Sequence, residues 1–295
     1  MINRIITALV FMATLYSCNK PSTLESVKKE IETQLAGQEG IFAVAFKDLQ
    51  TGEEILIREH EIFHAASTMK TPVMVELYKQ EAEGKFSLTD SVVIINEFKS
   101  IVDSSAYSLS ATDDSDTLIY KHIGEKRTLY ALMYDMIIWS SNLATNIVIE
   151  EVGATNVTQT LRDIGANNIQ VLRGVEDGKA YRAGLNNVTT AYDLMLLFER
   201  IARKEIVNAE ACDAMINVLL DQRFNNVIPG KLPEDVKVAH KTGWITGVRH
   251  DSGIVFLPDG KTYVLVLLSK EVKDDEGAKE MMAAVSKTIY DYVNR

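Results

Sequence analysis

Leu24, Val27, Ile31 and Leu35 recur at steps of three and four, the spacing of one helix face, and predict an amphipathic helix over 23–37. An apolar run from Ile41 to Leu49 reads as a strand. Gln50-Thr51-Gly52 then turns the chain, and 54–58 pairs back as a second strand. From Ser67 the period becomes helical, with segments over 67–83, 128–138, 143–152, 156–164 and 190–204. The Ser- and Asp-rich run 103–118 reads as a surface loop, and a further helix follows over 208–221. Strands resume over 236–242, 252–257 and 262–268, the last two joined by Pro258-Asp259-Gly260, and 276–293 closes the chain as a helix. This order predicts an α+β fold. Both chain ends share one antiparallel sheet flanked by the terminal helices, and an all-helical part is inserted between them. The expected boundaries are 23–62 and 208–295 for the sheet part, and 63–207 for the helical part, within one unit over 19–295.

Composition narrows the class. The 295 residues are 46% apolar and 24% charged, ordinary for a globular chain long enough to bury a core without disulfides. Subtracting 41 acidic from 31 basic side chains leaves −10, which lacks the basic footprint of a nucleic-acid binder. No apolar run reaches the roughly 18 residues of a spanning helix. Residues 1–18 read as an export signal. Arg4 gives the positive start, Ile5 to Leu15 the short apolar core, and Leu15-Tyr16-Ser17-Cys18 resembles the cleavage box of bacterial lipoproteins, with Cys18 the lipidated residue. That predicts an exported, periplasmic protein held to a membrane only through its lipid. Cys212, in an apolar stretch, is expected to be a buried small hydrophobe.

Three short motifs carry candidate chemistry. Ser67-Thr68-Met69-Lys70 opens an apolar helix and sets a hydroxyl and an amine on one face; a lysine there can take the serine's proton and free it to attack a carbonyl. Ser140-Ser141-Asn142 follows the apolar run 133–139, offering a second hydroxyl for proton transfer and an amide to hold a carbonyl, or a plain helix cap. Lys241-Thr242-Gly243 ends a strand, where glycine admits a ligand against the strand edge.

Taken in this order and setting, the three motifs resemble those of the class A β-lactamase and penicillin-recognising serine hydrolase family, over about residues 23–295. The resemblance implies a β-lactamase/transpeptidase-like fold and a serine β-lactamase with no cofactor or metal, acting as a monomer on a β-lactam or peptidoglycan-like small molecule. By the same resemblance Ser67 is the nucleophile, Lys70 its base, and Ser140 the proton donor to the leaving nitrogen. Asn142 binds the substrate's acylamide and orients Lys70. Lys241, Thr242 and Gly243 hold the substrate carboxylate, and the Ser67 and Trp244 backbone N–H groups form the oxyanion hole. Glu176, in Arg173-Gly174-Val175-Glu176-Asp177, is the deacylating base, and Asp177 beside it is expected to be dispensable. Arg249 is a second cation for a substrate carboxylate or a solvated turn residue. The chain departs from the family at Ala180, where an asparagine is usual, and at Ser141, where an aspartate is usual. A D-Ala-D-Ala peptidase, another acyl-serine amidase or esterase, and a slow-turnover penicillin-binding protein share the acylation chemistry. His64 is expected to be a packed loop histidine, and the acids at 113–116 and 274–276 solvated surface.

Overall fold

The computed structural model describes residues 23–295; the signal-type segment and Cys18 lie outside the described residues. Helix α1 (Leu24–Ala36) starts at Thr23, whose hydroxyl accepts from Ser26 N, and buries Val27, Ile31 and Leu35. Strand β1 (Ile41–Asp48) turns into β2 (Glu54–Ile57) because the Asp48 carboxylate accepts from Gln50 N at 2.8 Å and Thr51 N at 2.9 Å. A short β3 (Phe63–His64) precedes a 3₁₀ turn, Ala66–Met69, and α2 (Lys70–Ala82). The expected helix over 67–83 thus begins as 3₁₀, with Pro72 accommodated in the first turn of α2.

Three small antiparallel ribbons decorate the middle of the chain. β4 (Ser91–Val93) pairs with β7 (Lys126–Thr128), β5 (Phe98–Lys99) with β6 (Ala106–Tyr107), and β3 with β8 (Val188–Thr189). Between them run α3 (Leu129–Ile138), α4 (Asn142–Val152), α5 (Ala154–Asp163) and the short α6 (Gly178–Arg182). Helices α7 (Ala191–Ala202) and α8 (Ala209–Leu220) lead into β9 (Lys237–Ile245), β10 (Val248–Phe256) and β11 (Thr262–Lys270), and α9 (Asp275–Val293) ends the chain. β9 and β10 extend beyond the strands read from the sequence. They form a hairpin through Gly247 (φ +75°), which puts Lys241-Thr242-Gly243 inside β9 and Arg249 inside β10.

The main sheet has order β2-β1-β11-β10-β9 and is antiparallel throughout. Its two faces bury separate cores. Phe42, Val44, Phe46, Tyr263, Leu265 and Leu267 point to α1 and α9, while Ala43, Ala45, Val264, Val266 and Leu268 point to the helical layer. On β9 the residues alternating with Val238 toward the helical side are Ala239, Lys241 and Gly243. Among the described residues no helix is long and apolar enough to cross a membrane.

Strand β10 approaches β9 so closely that a methyl on Gly253 would lie 2.5 Å from both the Ala239 carbonyl oxygen and His240 Cβ. Gly253→Ala is expected to cost about 1–3 kcal/mol through this overpacking. A thermal unfolding scan checks it, and an unchanged melting temperature would contradict the close approach.

Candidate functional site

The 3₁₀ turn sets the first two residues. His64 Nδ1 accepts from Ala66 N at 3.0 Å, and Ala66 sits at φ +45°. The chain then tightens, and Thr68 Oγ1 donates to the Ala65 carbonyl at 2.6 Å. In a 3₁₀ turn residues i and i+3 eclipse, so half-buried Ser67 and wholly buried Lys70 share one face. Ser67 lines an open cavity of about 1150 Å³, together with Ser140, Asn142, Glu176, Thr242 and Trp244. Lys70 and Lys241 lie behind its wall, both fully buried. His64 is half-buried in β3 rather than packed in a loop, and it lines the same cavity.

Lys70 Nζ lies 2.7 Å from the Ser140 carbonyl, 2.8 Å from Asn142 Oδ1 and 3.2 Å from Ser140 Oγ. Burial pulls its ammonium down to about 7, against the pull of the Asp114 and Glu176 carboxylates. On the other side of Ser140 Oγ stands Lys241 Nζ, 3.1 Å away, which also donates to the Thr242 carbonyl at 2.9 Å. Burial first, and then the neighbouring Lys70 charge, hold Lys241 well below the ordinary lysine range. As an ammonium, Lys70 donates to all three partners. Once neutral, its two hydrogens belong to the Ser140 carbonyl and Asn142 Oδ1, which can only accept. The remaining lone pair faces Ser140 Oγ. In that state the hydroxyl donates to Lys70 while accepting from Lys241, and once Lys70 is protonated the bond between Lys70 and Ser140 reverses.

The loop after α3 makes this geometry possible. Trp139 N and Ser141 N both donate to the Asp135 carbonyl, and Ser140 is driven to φ +57°. Ser141 Oγ accepts from Ala144 N and caps α4, which accounts for a hydroxyl at that position. Asn142 opens α4. The Asp114 carboxylate accepts from Asn142 N at 2.9 Å, Leu143 N at 2.9 Å and the Tyr120 hydroxyl at 3.0 Å. Asp114 is therefore buried against a helix N-terminus, where a carboxylate is stabilised, and the expectation of solvated acids at 113–116 fails for it. The sequence gives no sign of this, since the residue lies in an aperiodic Ser/Asp run.

Glu176 reaches the same cluster from the loop 173–187. Its Oε1 accepts from Asn142 Nδ2 at 2.7 Å. Burial pushes its carboxyl up, against the Asn142 hydrogen bond. Glu176 sits at φ +62°, and its neighbours hold it there. Asn146 Oδ1 accepts from Val175 N at 2.6 Å while Asn146 Nδ2 donates to the Val175 carbonyl at 3.0 Å. Asp177 accepts from Ser100 Oγ, Ile101 N, Lys179 N and Ala180 N, each between 3.0 and 3.1 Å. It thus caps α6 and pins the loop to the β5–β6 hairpin. Asp177 is buried, and two of its partners, Ser100 and Ile101, lie more than 70 positions away in sequence. Ala180 is fully buried.

At the strand end, a Cβ on Gly243 would sit 3.2 Å from Ser67 N, so the strand and the 3₁₀ turn meet there. Arg249 is neither solvated nor free. Its Nε donates to Asp275 Oδ1 at 3.0 Å and its Nη2 to Asp275 Oδ2, with the guanidinium over the Trp244 ring at 5.6 Å. Asp274, which accepts from Gly277 N to cap α9, and Glu276 are exposed as the sequence suggests, while Asp275 is partly buried against Arg249. Cys212 is buried, with its thiol on the Ile206 carbonyl.

A family model described as the beta-lactamase enzyme family matches residues 26–293. A relative named beta-lactamase, from Bacteroides uniformis, is 25% identical over 300 residues, covering 97% of each chain. Among solved structures, a beta-lactamase from Sphaerobacter thermophilus DSM 20745 shares the fold with TM-score 0.78 at 24% identity, over 91% of this chain and 97% of that one. A mutant of a protein called PBP-A, solved as an acyl-enzyme complex with penicillin G, gives TM-score 0.77 at 25% identity, over 92% of this chain and 97% of its own.

Asp177→Ala removes a cap and a buried acceptor of four hydrogen bonds, and is expected to cost about 1–3 kcal/mol. Amide exchange should speed up over 173–187 and at Ile101 while the main sheet stays protected. Unchanged exchange in that loop would contradict the anchoring role.

Proposed function

The chain belongs to the beta-lactamase enzyme family, and from that premise we propose that it is a class A-type serine β-lactamase working through a Ser67 acyl-enzyme. The observation that carries the reading is the single hydroxyl of Ser140 lying within 3.2 Å of both Lys70 Nζ and Lys241 Nζ, beside the cavity that Ser67 lines.

In the proposed reaction Ser67 Oγ attacks the β-lactam carbonyl and its proton passes to neutral Lys70. The backbone N–H groups of Ser67 and Trp244 take the developing oxyanion. As the C–N bond breaks, the Ser140 hydroxyl gives its proton to the departing nitrogen and recovers one from Lys70. Thr242 holds the substrate carboxylate with the buried Lys241 amine behind it, and Gly243 leaves room against the strand edge. Arg249 shapes the mouth beside Trp244, its charge already matched by Asp275. For deacylation, Glu176 takes a proton from a water that attacks the ester carbonyl; the bond to Ser67 Oγ breaks and the proton returns to that oxygen. Ala180 favours a second reading. It lacks the side-chain amide that the family usually has there, which supports slow deacylation and a penicillin-binding role.

We also propose that 19–295 forms one catalytic unit, with a sheet part over 23–62 and 208–295 and a helical part over 63–207. The protein would be exported as a monomer to the periplasm, anchored by lipid on Cys18. In cell fractionation, Cys18→Ala should release the protein from membranes or leave it unprocessed. Unchanged membrane association would end the anchor proposal.

Intact-mass spectrometry with benzylpenicillin tests the mechanism. Ser67→Ala should leave no adduct, and Glu176→Ala should form one that persists, with turnover down by at least about a hundredfold. Because Lys70 must be neutral to accept a proton and titrates near 7, acylation should rise as the pH climbs through about 7. Wild-type turnover by Ser67→Ala would overturn the assignment. A persistent adduct on the unaltered protein would favour the penicillin-binding reading.

A further inference from the structure

His64 and Ala66 stand on the approach to Ser67, and one bond joins them: Ala66 N donates to His64 Nδ1 at 3.0 Å. A side chain that accepts from the amide two residues on closes a ring of the same size as an Asx turn. It does so where the backbone needs support. Ala66 sits at φ +45°, which costs an alanine about 1–3 kcal/mol. Returning Ala66 to an ordinary conformation would swing the next peptide, and with it Ser67 N and the Ser67 side chain, out of place against Gly243 on β9. The histidine is itself held. Its carbonyl accepts from His250 Nε2 at 2.9 Å, and His250 Nδ1 accepts from Ser269 N at 3.1 Å, so β3 is tied to β10 and β11. On its other side β3 pairs with β8, His64 opposite Val188.

We propose that His64 is a positioning residue for Ser67: through Nδ1 it fixes the left-handed turn at Ala66, and that turn aims the Ser67 hydroxyl and backbone N–H at the substrate carbonyl. The proposal rests on Ser67 being the nucleophile of the acyl-enzyme and deepens that reading. His64 takes no part in the bond changes; it acts through one backbone amide. For Nδ1 to accept, the ring must be neutral with its proton on Nε2. Burial first, and then the Arg173 charge, hold the imidazolium below the ordinary histidine range, which favours that form. The acceptor is therefore a property of this side chain at neutral pH, and a residue of the same bulk without a lone pair cannot supply it.

Two variants separate the acceptor from the bulk. His64→Asn loses most of the ring but carries an oxygen where Nδ1 stood; His64→Leu keeps the bulk and carries no acceptor. Quenched-flow mass spectrometry over a range of benzylpenicillin concentrations separates the acylation rate constant at saturation from the dissociation constant. His64→Leu should lower the saturating rate constant about ten- to a hundredfold, the cost of an unpaired amide and a misplaced nucleophile, with the dissociation constant changed less than about twofold. His64→Asn should bring the rate constant back to within about threefold of the unaltered protein. Hydrogen exchange at the Ala66 amide should quicken in His64→Leu and not in His64→Asn. A rate constant for His64→Leu equal to or above that for His64→Asn, or a loss confined to the dissociation constant, would overturn the positioning role while leaving the acyl-enzyme reading intact. A fluorophosphonate, which labels an activated serine whatever its natural substrate, is run in parallel. The expected order of variants with that reagent, but no benzylpenicillin adduct on any form, would overturn the β-lactamase reading and keep the positioning role. No label from either reagent would overturn both.

Discussion

Two lysines buried to zero exposure, with one serine hydroxyl between them, constrain everything else in this molecule. An ammonium taken out of water costs several kcal/mol, and two side by side cost more. The structure meets that cost in part through acceptors aimed at each amine: the Ser140 and Thr242 carbonyls and Asn142 Oδ1. Burial also holds both amines below the ordinary lysine range, which favours their neutral forms. The depressed Lys70 is therefore a consequence of where the helical layer meets the sheet, and follows from burial rather than from any unusual group.

Holding those atoms in register needs backbone that a chain does not adopt by preference. Ala66, Ser140 and Glu176 all occupy the left-handed region, at about 1–3 kcal/mol each. They lie beside segments fixed elsewhere: β3, the end of α3, and the loop bracketed by Asn146 and Asp177. The two cores on either side of the sheet supply the stability that this strain draws on.

What the sequence disclosed tracks how local each feature is. α1 was readable because it buries one face at helical spacing, and β1 and β11 because strands buried on both faces are continuous apolar runs. Ser67, Lys70, Ser140, Asn142 and Lys241 were readable because three short motifs keep their spacing. The 3₁₀ start at Ala66 and the longer β9–β10 hairpin were not, since both depend on what docks against them. Asp114, Asn146 and Asp275 escaped for a sharper reason. Each acts through a partner some 26 to 29 positions away, Asn142, Val175 and Arg249 respectively, and an isolated carboxylate or amide carries no period that announces its partner.

The pairing of β1 has a consequence in time. Phe46 sits between Ile55 and Leu265, so this interior strand finds its second neighbour only after nearly the whole chain exists. Contacts of such long sequence separation form late, because the entropy of closing the intervening loop is lost before the pairing returns anything. During synthesis the first hairpin has one edge open and the second core has no α9 to close it. A growing chain therefore has no finished sheet until its last strand and helix are made.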